Sequence, residues 1–353
     1  MKMNKLLAVT LAFSLFAATP VIAAQAAVNN EGPQTVQFTD MDRQLADAAE
    51  QAIAQYGNGK AFQLEEALKG EYFVDEKTKR GIWYISAKDR SAVVSLDAVS
   101  GEVLTVSLTY DMDELSGEYE AKLKSAQAAV KELNGKGELS FVRAHFFKDN
   151  NKGHESETLS FQTEDGQFVA IDMKTGKPNS YILKSKAADV DRSIVAAAEQ
   201  AVKSMGVAKV QPFTEIEHRQ VDGEAAGEVW VLKRTVDVNG DKSNKKSFRT
   251  DGQGRAFVVR ESVIIEAKTG KPVSVTIPSN EAGKKTKTLT KEDSIKLVKP
   301  IAQKLFDVDL SAYTLKIDKD WGDYKFSSKG KETIVAKINQ AGELVRIERK
   351  VKN

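Results

Sequence analysis

Few residues in this chain could do chemistry. Histidine occurs three times, at His145, His154 and His218, and cysteine is absent. A zinc site needs three or four ligands that converge within bonding distance. No two of these histidines stand at helical spacing, and no carboxylate pattern beside them completes a ligand set. The absence of cysteine excludes disulfides, thiolate metal sites, thiol nucleophiles and a lipid-bearing cysteine. Asp111-Met112-Asp113-Glu114 and Asp237-Val238-Asn239-Gly240-Asp241 look like fragments of calcium loops. Neither has the regular ligand spacing closed by a distal glutamate that such a loop requires, and the second reads as an Asn-Gly turn. The nucleophile elbow, the P-loop and the dinucleotide fingerprint are missing too. These residues predict no catalytic site, no metal and no cofactor.

Basic residues offer another kind of chemistry. Lys242, Lys245, Lys246, Arg249 and Arg255 crowd a polar stretch, and Lys284, Lys285 and Lys287 crowd a second one. Residues 27–115 carry 16 acidic and 8 basic side chains, a net of −8, whereas residues 284–353 carry 17 basic and 10 acidic, a net of +7. A basic C-terminal end of this kind suits an anionic partner, such as a wall polymer or a membrane surface. Nucleic acid does not fit: without Lys2 and Lys5 the chain has 50 basic and 50 acidic residues, and no basic face rich in stacking aromatics. Trp83, Trp230 and Trp321 could form a carbohydrate or peptide platform. Their recurrence in strand-like segments favours sheet packing, where aromatics suit a half-buried pleated surface.

The N-terminus determines where any of this would act. Lys2 and Lys5 precede an apolar stretch, Leu6 to Phe16, and small residues follow as far as Ala24-Gln25-Ala26. That order is the one found in secretory signal peptides, and it predicts cleavage after residue 26. The apolar stretch is short for a bilayer span and no later segment approaches one. The expected product is secreted or associated with the cell wall, with no transmembrane segment.

The elements that position these residues repeat. Val93 to Ser107, Phe168 to Leu183, Val263 to Ile277 and Ile334 to Glu348 each place a glycine (Gly101, Gly176, Gly270, Gly342) between two apolar runs. A short hairpin loop needs one residue at positive φ, which glycine adopts without steric cost. Upstream of each hairpin runs a segment of helical period. These segments cover about Met41 to Tyr56 with Asp40 as cap, Tyr119 to Leu133, Ile194 to Met205, and Ile295 to Leu305 with Thr290 as cap and Pro300 as a kink or restart. The first and third helices align without gaps, Asp42–Gly57 on Asp191–Gly206, with 8 identities in 16 positions. The tryptophan strands Ile82-Trp83-Tyr84-Ile85 and Val229-Trp230-Val231-Leu232 follow each of them, a mark of internal duplication. Further strand-like runs cover Ser140 to Phe147, Thr158 to Gln162, Thr214 to His218, Tyr313 to Ile317 and Tyr324 to Ser327.

The expected fold is therefore α+β, with tandem units of one helix packed on a 3–4-stranded antiparallel sheet. After the signal peptide (1–26) the units run 27–112, 113–186, 187–280 with an insertion at 239–255, and 281–353. Ile171-Asp172-Met173-Lys174-Thr175-Gly176-Lys177-Pro178 and Ile265-Glu266-Ala267-Lys268-Thr269-Gly270-Lys271-Pro272, with the helix and aromatic strand before them, resemble the PepSY domain. More narrowly they resemble the YcdB/YcdC-type repeats of exported Gram-positive bacterial proteins. The first hairpin departs to Asp97-Ala98-Val99-Ser100-Gly101-Glu102, and the fourth, Ile338-Asn339-Gln340-Ala341-Gly342-Glu343, lacks the acidic residue.

The resemblance implies a non-catalytic domain. Domains of the family it resembles occur in propeptides of thermolysin-like metallopeptidases, where they are linked to inhibition and folding assistance, and in envelope and spore-associated proteins. HExxH is absent from these residues, so an attached peptidase is not expected. The resulting expectation is a secreted binding or regulatory protein rather than an enzyme. It would take an extracytoplasmic protein or peptide as partner, a secreted peptidase among them, through an exposed sheet edge. The alternative is wall-polymer or membrane-surface binding through the basic C-terminal unit, with Lys242, Lys245, Lys246, Lys284, Lys285 and Lys287 as candidate contacts.

Overall fold

The structure is a computed structural model that describes residues 35–74, 78–134, 138–221, 227–237, 249–250, 256–278, 289–318, 322–339 and 341–350. Steps of three and four between apolar residues produce helices α1 (Arg43–Tyr56), α2 (Gly117–Asn134), α3 (Arg192–Ser204) and α4 (Lys291–Phe306). Three of them begin on a side-chain cap that takes up an otherwise unpaired N–H. Asp42 Oδ1 accepts from Gln44 N at 2.9 Å, Asp191 Oδ1 from Ser193 N at 2.7 Å, and Thr290 Oγ1 from Asp293 N at 3.1 Å. The cap of α1 is thus Asp42, the residue aligned with Asp191. The expected Asp40 instead ends a one-turn 3-10 helix. Helix α4 starts at its expected cap and runs on through Pro300, so the proline does not reset its start.

Two compact units divide the chain at Tyr181. The first contains β1 (Thr35–Gln37), β2 (Leu64–Phe73), β3 (Lys79–Ala87), β4 (Ala92–Asp97), β5 (Val103–Asp111), β6 (Phe141–Asp149), β7 (Ser156–Thr163) and β8 (Phe168–Asp172). Each pairs antiparallel with the next in sequence order. The second unit opens within β9 (Pro178–Ser185) and continues through β10 (Glu215–Gln220), β11 (Val229–Asp237), β12 (Arg249–Thr250), β13 (Ala256–Glu266) and β14 (Pro272–Thr276). Its last four strands are β15 (Thr314–Asp318), β16 (Asp323–Ser327), β17 (Thr333–Ile338) and β18 (Leu344–Lys350). There the spatial order is β9-β10-β11-β13-β14-β18-β17-β16-β15, with the short β12 paired to β13.

This corrects the expected fold class. The chain does not form tandem helix-on-sheet units with 3–4 strands each; it is mostly antiparallel sheet, with four helices among the described residues. Strand β5 pairs with β6 from Thr105↔Asp149 to Asp111↔Arg143, across the boundary expected at residue 112. Strand β14 pairs with β18 across the boundary expected at residue 280. The physical reason is the edge. A small isolated sheet leaves two rows of unpaired N–H and C=O groups, and joining neighbouring sheets satisfies them.

Helices cover one face of each ladder. In the first unit α1 lies on β4 and β5, and α2 on β7 and β8. The end of α1 is tied down by two phenols, since Tyr110 and Tyr119 both donate to Tyr56 O, at 3.2 and 2.9 Å. Phe146 stacks on Tyr56 and Tyr119 beside them. In the second unit Ile194, Ala198 and Val202 of α3 share one buried cluster with Ile216, Leu232, Val263 and Ile265. Val298, Ala302 and Leu305 of α4 join the same cluster with Val275, Phe326, Ile334 and Ile347.

Four hairpin glycines are left-handed as expected, with φ of 71° at Gly101, 69° at Gly176, 67° at Gly270 and 79° at Gly342. The strand pair Val275↔Ile347 holds β14 to β18. Ile347→Ala, at a fully buried position, is therefore expected to cost about 2–5 kcal/mol in chemical denaturation. Val99→Ala, at a side chain 93% exposed, should stay within about 0.5 kcal/mol of the parent.

Candidate functional site

The structure does not gather the histidines. His145 is on β6, His154 is exposed in the following turn, and His218 is on β10 of the second unit. Among the described residues no group of three or more histidine, aspartate or glutamate side chains could hold a metal ion. Asp111 and Glu114 are engaged locally: Glu114 Oε2 accepts from Asp111 N at 2.8 Å and meets Lys60 Nζ at 2.5 Å. They line a polar cleft of about 290 Å³ with Asp89, Arg90 and Arg143, where both charge signs are present. Most of the Asp237–Asp241 segment lies outside the described residues, as do Trp321, the signal peptide, and all six candidate lysines, Lys242, Lys245, Lys246, Lys284, Lys285 and Lys287. Among the described residues no helix is long and apolar enough to cross a membrane.

His218 belongs to a polar cluster that residue spacing does not reveal. Its Nε2 lies 2.7 Å from Glu228 Oε1, and the Tyr181 hydroxyl donates to the same oxygen at 2.9 Å. The imidazole stacks on Trp230, ring centres 4.2 Å apart and planes 9° from parallel. Burial, with the Glu228 carboxylate beside it, pushes the Tyr181 hydroxyl far above its usual range. In the first copy Lys69 stands opposite Trp83 as His218 stands opposite Trp230, and Gly81 takes the place of Glu228. Gly81 O and Glu228 O accept equivalent turn N–H groups, from Ala98 at 3.0 Å and Ala267 at 2.9 Å. Glu228 thus takes both the Tyr181 hydroxyl and the imidazole Nε2, while His218 Nδ1 is buried without a hydrogen-bond partner among the described residues. The cluster's rings pack on the aromatic strand, with Tyr181 edge-on to the imidazole at 5.3 Å and Trp230 stacked on its face.

The position that differs in a way another molecule could use is on β15. Asp97, Asp172, Glu266 and Asn339 mark one point in all four copies, each donating its N–H across the hairpin at 2.9 Å. Counting outward through the strand pairs from that point makes Ala67, Ala144, Ile216 and Ile317 equivalent. The first three are 0%, 0% and 2% exposed, whereas Ile317 is 39% exposed. Each of the first three has a residue of an outer strand opposite it: Val36 of β1, Tyr110 of β5 and Ser185 of β9. Among the described residues β15 pairs with β16 alone. The neighbour that the repeat pattern would supply is β14, and β14 is taken by β18. Leu315 packs against the buried cluster, while Thr314, Lys316, Ile317 and Asp318 are exposed.

Sequence reasoning locates this strand to within a residue at each end. It does not single it out, because exposure here depends on which strand β14 chooses. Comparison with protein-family models, curated proteins and solved structures finds no match for the chain.

His145 supplies a pH test of the first unit. Its Nε2 meets Ser107 Oγ at 2.8 Å, and burial lowers its pKa from 6.5 to about 4. A base whose folded pKa is depressed takes up protons on unfolding, so its contribution is intact above pH 6.5 and is lost as pH falls toward 4. Denaturation midpoints should therefore drop across that window, and His145→Gln should flatten the slope there.

Proposed function

We propose that the protein is a secreted, non-catalytic binding protein that captures an extended segment of another extracytoplasmic polypeptide by strand addition at β15. One observation carries this reading: the strand position that is covered in three copies has no covering strand in the fourth among the described residues, and its apolar residue Ile317 is exposed. Main-chain hydrogen bonds along such an edge supply affinity, and alternate side chains supply selectivity. The strand is also short and carries Lys316, as expected of an edge guarded against indiscriminate pairing. The signal-peptide pattern at residues 1–26 and the resemblance to PepSY-type repeats support an extracytoplasmic setting and a regulatory role. A secreted peptidase is the partner class favoured by that resemblance.

The chain supplies its own probe. Strand β5 covers the equivalent position in the second copy, so a labelled, C-terminally amidated peptide spanning Val103–Met112 imitates a natural covering strand. Fluorescence anisotropy should show saturable binding to the mature protein. Ile317→Lys, which puts a charge on the apolar face of the edge, should weaken binding about tenfold or more. Val99→Lys should leave it unchanged. Equal binding by the Ile317→Lys variant and the parent would refute the assignment.

A further inference from the structure

Resting on that reading, we propose that the captured strand runs antiparallel to β15 and carries an apolar residue followed directly by an acidic one. The apolar residue lies opposite Ile317 and the acidic residue opposite Lys316. The covered copies show how this edge is completed. In the second copy β5 places Tyr110 opposite Ala144 and Asp111 opposite Arg143, and register makes Arg143 the counterpart of Lys316. In the third copy an opposite-charge pair lies on the other side of the equivalent position, where Glu217 of β10 is opposite Lys184 of the covering β9. Opposite charges directly across a strand pair stabilise it and like charges destabilise it.

Lys316 needs such a partner more than Arg143 does. On its inner side it faces Lys325 of β16, another cation, and neither lysine has a carboxylate within ion-pair distance among the described residues. An incoming aspartate or glutamate would relieve that repulsion. The same charge argues against a second copy of this chain as the occupant. Two β15 strands paired antiparallel about their centres set Lys316 against Lys316, beside the existing Lys316–Lys325 pair.

The experiment compares the Val103–Met112 peptide with the same peptide carrying lysine in place of Asp111, each titrated against the parent protein and against Lys316→Glu. The parent should prefer the aspartate peptide by roughly three- to tenfold, and the variant should prefer the lysine peptide by a similar factor. Both preferences should shrink as salt rises. The Lys316→Glu change places a carboxylate opposite Lys325, so the reversed preference also reports a folded variant. Equal affinities for both peptides would overturn the charge rule and leave strand capture standing. Failure of both peptides to bind the parent would overturn strand capture itself. A dimer of the parent that is lost in Ile317→Lys would overturn the inference by identifying a second copy as the occupant.

Discussion

The pairing of β14 with β18 is the contact on which the second unit's architecture turns. It is short: Ser274↔Glu348, Val275↔Ile347 and Thr276↔Arg346, followed by Ile277 N donating to Val345 O at 2.9 Å. It nevertheless decides which strand stays open. Up to β14 each strand on the main path meets a neighbour close in sequence, and the last strand of one copy flanks the first strand of the next, as β5 flanks β6 and β9 flanks β10. Had β14 flanked β15, Ile317 would sit as Ile216 does and β18 would be the edge. The fourth copy docks by its last strand instead, with Val275 and Ile347 fully buried in the cluster shared with α4. Burial of those side chains stabilises the seam, and its consequence is that β15 has β16 as its one strand partner among the described residues.

Most of the chemically suggestive residues maintain this framework. Asp97 Oδ1 accepts from Val99 N and Ser100 N at 3.0 and 2.9 Å, and Asp172 Oδ1 from Thr175 N at 2.7 Å. The Ser100 N–H holds the Asp97 carboxyl below the usual carboxylate range, and the Thr175 side chain and N–H do the same for Asp172. Asn339 Oδ1 performs the equivalent task, accepting from Ala341 N at 3.0 Å, which is why the fourth hairpin closes without an acid. These groups recur because each hairpin needs an acceptor for its loop N–H groups. Lys69 and Gly81 occupy the positions of His218 and Glu228 in the first copy, so the polar group is particular to the third copy, where Tyr181 of β9 joins it.

Much of this was legible in the sequence, and the limits have physical causes. Helix positions, the aligned caps' neighbourhood and the four glycine turns follow from period-3.6 and turn chemistry, which are local. The ten-residue strand β2 escapes because Glu65, Glu66, Lys69 and Glu71 mask an inward row that includes the small Ala67. Small independent sheets looked sufficient because nothing local in Val103–Asp111 or Phe141–Asp149 announces that the two will pair. The polar cluster depends on Tyr181 and Glu228, 37 and 10 residues from His218 in the sequence, arriving at one corner. The open edge depends on a single long-range choice by β14, and no periodicity encodes it.

The most direct test of the account is amide hydrogen exchange along β15 of the mature protein, with and without the Val103–Met112 peptide. If this edge receives a strand, alternate amides between Thr314 and Asp318, the ones that point away from β16, exchange fast in the free protein and slow markedly when peptide is added. Amides of β5, already paired with β6, should not change. Unchanged exchange along β15 at a peptide concentration that saturates binding would contradict the account.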